Sequence, residues 1–264
     1  SQSNERGVVA VGWVPNDTTP AGQARAHQRI TATLAKIRFL DPPCALCVRG
    51  DLDVGGNTAI DSRADKTCGN KSGTITTGTT ARSGAADVWG ADGNDDQNIT
   101  GTAPPADIVN NYNTTSFDNY LFTSSDLDAL KAIAKASGTY YQGSVTFSSS
   151  NQMPNGIIFV DTTTGNNITD STPTSEFASL SIHGGAPADA SGIFNGWIIS
   201  NGALDISGDF RMHGMVYAVN DPTKQSLWLA LSGAAAGSVS TRGAVLGALV
   251  GIDLPDVGKA FFQI

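Results

Sequence analysis

Apolar and polar residues alternate along most of this chain with a period of two, and the alternating runs are short. Residues 7–14 (GVVAVGWV) make an apolar run of strand length, expected to be buried. In residues 24–38 (ARAHQRITATLAKIR), Ile30, Ala32 and Leu34 fall on one face and Arg25, His27, Arg29, Thr31 and Thr33 on the other. That is the pattern of a half-buried strand, and Pro42-Pro43 ends it because proline has no N–H for a ladder. ALCVRG (45–50), DLDVGGN (51–57) and TAIDSR (58–63) read as three further short strands. Their corners, Gly50-Asp51 and Gly55-Gly56-Asn57, use residues that tolerate positive φ.

Short strands are expected again at 144–148, 156–161, 178–184, 196–202, 203–208, 209–214 and 214–220, and then across 227–252. One segment breaks the rhythm. SSDLDALKAIAKAS (124–137) has Leu127, Leu130, Ile133 and Ala134 at helical spacing, Ser125 as the expected N-cap and Gly138 as the stop. Residues 64–123 include GTITTGTT and the Asp-rich ADGNDDQNITG and read as a loop-rich insertion. Three six-residue strands per turn give a rung of 18 residues, the interval between Gly196-Trp197 and Gly214-Met215. The expected fold is therefore mainly β: a single right-handed β-solenoid, or β-helix, over 1–264, with degenerate rungs and the 124–137 helix as a cap.

Composition agrees with a β-rich surface. Charged residues are 15% of the chain, below the ~25% of an ordinary soluble domain, and there are 30 glycines. The net charge of −8 argues against general nucleic-acid binding. A local strip of Arg25, Arg29, Lys36 and Arg38 is the one candidate for phosphate contact. No run of 18 apolar residues is present, so no membrane-spanning segment is expected.

Cys44, Cys47 and Cys68 lie within one stretch and are disulfide candidates; Cys44–Cys68 or Cys47–Cys68 leaves one thiol over and suits an oxidising compartment. A structural zinc site needs four ligands, and no second Cys pair or nearby His supplies them. Asp92, Asn94, Asp96 and Asn98 alternate at positions 1, 3, 5 and 7 of a loop, a spacing that wraps calcium, although Gln97 and Ala103 stand where an EF-hand has Gly and Glu. Calcium is the only cofactor the sequence suggests. Asp205, Asp209, Arg211 and His213 are the nearest approach to a carboxylate cluster of a polysaccharide-active enzyme, and equally the solvated face of a strand. No G-x-S-x-G elbow marks a serine nucleophile. Trp89, in a polar stretch, is the aromatic best placed for surface recognition.

The ordered set VRGDLDVGGNTAIDSRADKTCGN (48–70), the 124–137 helix and GIIFVD…NGWIISNGALDISGDFRMHGMVYAVND (156–221) resembles the PilX-type accessory proteins of bacterial type IV pili. The residues that carry it include Gly202, Leu204, Ile206, Ser207, Gly208, Phe210, Gly214 and Tyr217. The resemblance implies a non-enzymatic minor pilin-like protein at the cell surface. Its partners would be other minor pilins and a tip adhesin, in assembly priming or attachment. It also implies that this chain is the soluble part without the family's N-terminal hydrophobic helix, and brings DNA uptake as a further alternative.

Overall fold

The computed structural model describes residues 5–14, 26–35, 40–54, 59–63, 70–168, 172–207, 211–218, 229–232, 239–241, 244–250, 252–253 and 261–263. The chain divides into two compact units, Ser1–Phe39 and Leu40–Ile264.

The first unit is a hairpin of β1 (Glu5–Val14) and β2 (Ala26–Ala35), antiparallel from Glu5↔Ala35 to Val14↔Ala26. Both strands form where the alternation places them. Neither is buried as expected: Ile30 is 59% exposed, and Val8, Val9 and Val11 are exposed too. A two-stranded ribbon has only its own two faces and hides little apolar surface.

The second unit begins with β3 (Cys44–Arg49), β4 (Leu52–Val54) and β5 (Ala59–Asp61). The same trio is then repeated as β6 (Ser72–Thr76), β7 (Thr80–Arg82) and β8 (Asp87–Trp89). Each strand pairs in parallel with its counterpart 28 residues on, Cys44 with Ser72, Leu52 with Thr80 and Ala59 with Asp87. Leu46, Val48, Leu52, Val54, Ile60 and Val88 point inward from these layers into one core. β9 (Thr100–Gly101) and β10 (Ile108–Val109) continue the β3–β6 sheet. Residues 70–123, part of the loop-rich insertion expected at 64–123, carry five strands and the short helix α1 (Thr114–Asp118). Their glycine- and threonine-rich strands are only two to five residues long, too short for alternation to register.

α2 (Ser124–Ser137) follows, and its cap lies two residues before the expected one. Thr123 accepts from the Asp126 N–H while the Asp126 carboxylate accepts from the Thr123 N–H, a reciprocal capping box, and Gly138 closes the helix in the left-handed conformation at φ +72°. Leu127, Leu130 and Ala134 bury the apolar stripe against β11 (Tyr140–Gln142) and β13 (Gly156–Asp161). β12 (Val145–Phe147) lies between those two in sequence; β14 (Ala178–Ile182), β15 (Ile193–Ser200), β16 (Gly202–Ser207) and β17 (Arg211–Ala218) come next. The remaining strands are β18 (Leu229–Ser232), β19 (Val239–Thr241), β20 (Ala244–Val250), β21 (Ile252–Asp253) and β22 (Phe261–Gln263).

These strands do not make the single right-handed β-solenoid that the sequence leads one to expect. They fall into several sheets, the largest of nine strands in the order β11-β13-β15-β17-β20-β3-β6-β10-β9. Within it β20 runs antiparallel to both β17 and β3, where a solenoid keeps one direction. The 18-residue step holds between Gly196 and Gly214, but Gly156 pairs with Gly196, and Ala178 with Gly202. A period taken from one pair of glycines, which lie inside β15 and β17, does not fix the connections elsewhere. The β20 sequence AVLGALV, apolar at nearly every position, suits a central strand covered on both faces.

Two polar pins cross the layers. Asp161, fully buried at the end of β13, forms an ion pair with Lys131 of α2 at 2.7 Å. It also accepts from Tyr140 Oη at 2.9 Å, Asn201 Nδ2 at 2.7 Å and the Thr162 N–H at 2.9 Å. Lys71 Nζ, in the opening layers, donates to Asp41 and to the Pro42 carbonyl, both at 2.6 Å.

Candidate functional site

The functional candidate with the clearest geometry lies where β5 and β8 run side by side, with Asp61 opposite Trp89. Ser62 anchors the exit of β5, its hydroxyl donating to the carbonyls of Lys71 and Trp89. Asp61 then turns the chain back on itself: its Oδ1 accepts from the Arg63 N–H and from Arg63 Nε, each at 2.9 Å, and its Oδ2 from Nη2 at 2.7 Å. This two-pronged pairing fixes the guanidinium over the Trp89 ring, 4.8 Å from its centroid. The side-chain hydrogen bonds that Arg63 donates to Asp61 are the largest influence holding it above its ordinary value; burial opposes them, and the charges of Asp61, Asp95 and Asp107 add to them.

Asp61 and Arg63 line a cavity of about 460 Å³, together with Asn70, Ala91, Gly93, Asn94 and Asp95. Arg63 Nη1 reaches toward Asp95, whose Oδ1 is 4.0 Å away. The far wall is held from behind. The Asp107 carboxylate, buried, accepts the N–H groups of Gly90 and Ile99 and so closes the 90–99 segment at both ends. Desolvation pushes the Asp107 carboxyl above the usual range, with the two N–H donors acting against it.

The expected calcium ligands lie in this same segment. Asn98 is turned away from it, its Oδ1 accepting from the Val88 N–H at 2.7 Å and its Nδ2 donating to Asp87. Asp92 accepts from the Asn94 N–H at 2.9 Å. Of the four, Asn94 alone lines the cavity, with Asp95 rather than Asp96 beside it. No group of three or more His, Cys, Asp or Glu able to hold a metal is present among the described residues.

The disulfide joins Cys44 to Cys47, correcting the expectation that Cys68 pairs with one of them. The two Cα atoms are 5.6 Å apart, well under the ~10 Å that three residues of extended strand span, so the backbone is contracted at this point. Cys68 lies outside the described residues. Alkylation after denaturation without reductant is accordingly expected to label one cysteine per chain, Cys68, and all three after reduction. Label found by peptide mapping on Cys44 or Cys47 before reduction contradicts the pairing.

Of the other candidates, only some lie among the described residues. Arg29 is exposed on β2, opposite Val11, while Arg25, Lys36 and Arg38 lie outside the described residues. Asp205 belongs to β16 and the β12-β14-β16-β18 sheet; Arg211 and His213 belong to β17 in the nine-stranded sheet, and Asp209 lies outside the described residues. Sequence reasoning singled out Trp89 but missed Asp61 and Arg63. The signal available was Asp61-Ser62-Arg63 at the end of a strand, a spacing of two that lets a carboxylate bond the backbone and the guanidinium together.

No protein-family model, curated protein or solved structure is significantly similar to the chain. The likeness to pilus accessory proteins therefore rests on the motifs quoted above.

Proposed function

We propose that this chain is a non-catalytic structural and adhesive module displayed outside the cell, with the type IV pilus as the assembly its motifs suggest. The observation that carries the reading is a division of labour among its polar groups. Buried charged groups are engaged in internal pins: Asp161 with Lys131, Tyr140 and Asn201; Lys71 with Asp41; Asp107 with Gly90 and Ile99. The partly exposed Asp61 and Arg63, the latter seated on Trp89, and the exposed Asn94 and Asp95 gather around an open cavity. Rigid layers presenting a polar recess suit recognition at a surface. The Cys44–Cys47 disulfide suits an oxidising compartment.

The test is shear fractionation of the source cells with an antibody to this chain. The chain is expected in the sheared, appendage-bearing fraction, and to be lost from it when pilus assembly is blocked. Recovery from the cytoplasm alone overturns the surface reading. Recovery at the surface independent of pili overturns the pilus assignment and keeps the adhesive one.

A further inference from the structure

We propose that the cavity beside Arg63 is a saccharide site, binding a neutral pyranose through adjacent hydroxyl groups; the inference rests on the adhesive reading and specifies what is recognised. Its lining decides between ligand classes. An anion faces two carboxylates, Asp61 and Asp95, with Asp92 close by in the same segment. A metal cation faces the Arg63 guanidinium, which lies between those carboxylates, bonded to Asp61 at 2.7 Å and 4.0 Å from Asp95. A wholly apolar ligand leaves the polar groups of Arg63, Asn70, Asn94 and Asp95 without a partner in the wall. A polyol matches all of the wall. Each hydroxyl both donates and accepts, so one hydroxyl accepts from Arg63 Nη1 while donating to Asp95, and its neighbour meets the carboxamides of Asn70 and Asn94. A volume of about 460 Å³ lies within the range of small-molecule sites.

The site is also preorganised. The Arg63 guanidinium is held by two hydrogen bonds to Asp61, from Nε and Nη2, and by Trp89 beneath it, so its donors are fixed before the ligand arrives. Trp89 acts here through Arg63, as the base that holds the guanidinium in place.

Saturation-transfer NMR on the full chain tests this, with D-galactose, D-mannose, D-glucose and N-acetyl-D-glucosamine as probes and sodium sulfate and calcium chloride as competitors. At least one pyranose is expected to show transfer, unaffected by calcium chloride or sulfate at equal concentration. Binding is expected to weaken at least tenfold in Arg63→Ala. The Asn94→Ala/Asp95→Ala double variant guards against misfolding, because the Asp95 side chain is fully exposed (108%); it is expected to weaken binding by a similar factor. Transfer from none of the four sugars, binding unchanged in the double variant, or displacement of the sugar by calcium overturns the proposal. A failure here leaves the shear result standing, whereas a purely cytoplasmic chain that still binds sugar sinks the adhesive reading instead.

Discussion

Replacing Gly196 with alanine is expected to destabilise the fold by about 3–5 kcal/mol, whereas the same change at Gly156, its partner in the neighbouring strand, costs only about 1–2 kcal/mol. Gly156, Gly196 and Gly214 stand in register across β13, β15 and β17, all with positive φ: +114°, +155° and +146°. Alanine strains the backbone at each, and at Gly156 that is the whole effect, since nothing lies within 4 Å of the added methyl. At Gly196 the methyl is driven into the Gly156 carbonyl oxygen and lies 2.7 Å from the carbonyl carbon. At Gly214 it meets the Gly196 carbonyl in the same way. These are ladder atoms of an adjoining strand, so relief requires the strands to part. Equilibrium urea unfolding of the three single variants gives the comparison. Equal costs at Gly156 and Gly196 would show that the glycines serve only their φ angles and that the strands are not packed this closely.

That column also marks how far the sequence could be read. The short apolar runs locate β13 to its exact ends and β14 to β16 within a few residues, while the segments at 209–214 and 214–220 join in the single strand β17. The glycines at 196 and 214 register as an 18-residue step, and they do pair, inside β15 and β17. What alternation leaves open is which strand lies beside which. The 28-residue partnership of β3–β5 with β6–β8 escapes notice because Ser72-Gly-Thr-Ile-Thr and Thr80-Ala-Arg hold few aliphatics. The burial of β6 comes from tight stacking, since a side chain at Gly73 would run into Val88 and the Trp89 carbonyl, while β7 stays largely exposed. The reversal at β20 depends on a partner nearly two hundred residues upstream, Val48, which no local pattern names. The candidate site is legible in parts: Trp89 by its polar surroundings, Asn94 through its loop. Asp61 and Arg63 acquire meaning only once β5 and β8 lie side by side.

The second large effect is expected at the Asp161 pin. Asp161→Ala leaves the Lys131 ammonium, the Tyr140 hydroxyl and the Asn201 amide without their shared acceptor, at a cost of about 3–5 kcal/mol. Lys131→Met is expected to cost less, about 1–3 kcal/mol, because the Asp161 carboxylate keeps three donors while Lys131 gives up only that carboxylate, the Gly165 carbonyl and Asn167. The asymmetry distinguishes an acceptor at the centre of a network from a simple ion pair, in which either deletion strands one charge. Tyr140 supplies an independent reading. Burial is the main cause that pushes its hydroxyl up to about 12, assisted by the hydrogen bond to Asp161 and by that carboxylate's charge. In Asp161→Asn the charge is gone while the burial stays. Ultraviolet titration is therefore expected to show one tyrosine ionising at lower pH than in the parent, part of the way back toward the ordinary value near 10. An unchanged tyrosine titration together with equal costs for Lys131→Met and Asp161→Ala would mean that α2 is held by its apolar stripe, Leu127, Leu130 and Ala134, and that the pin contributes nothing beyond it.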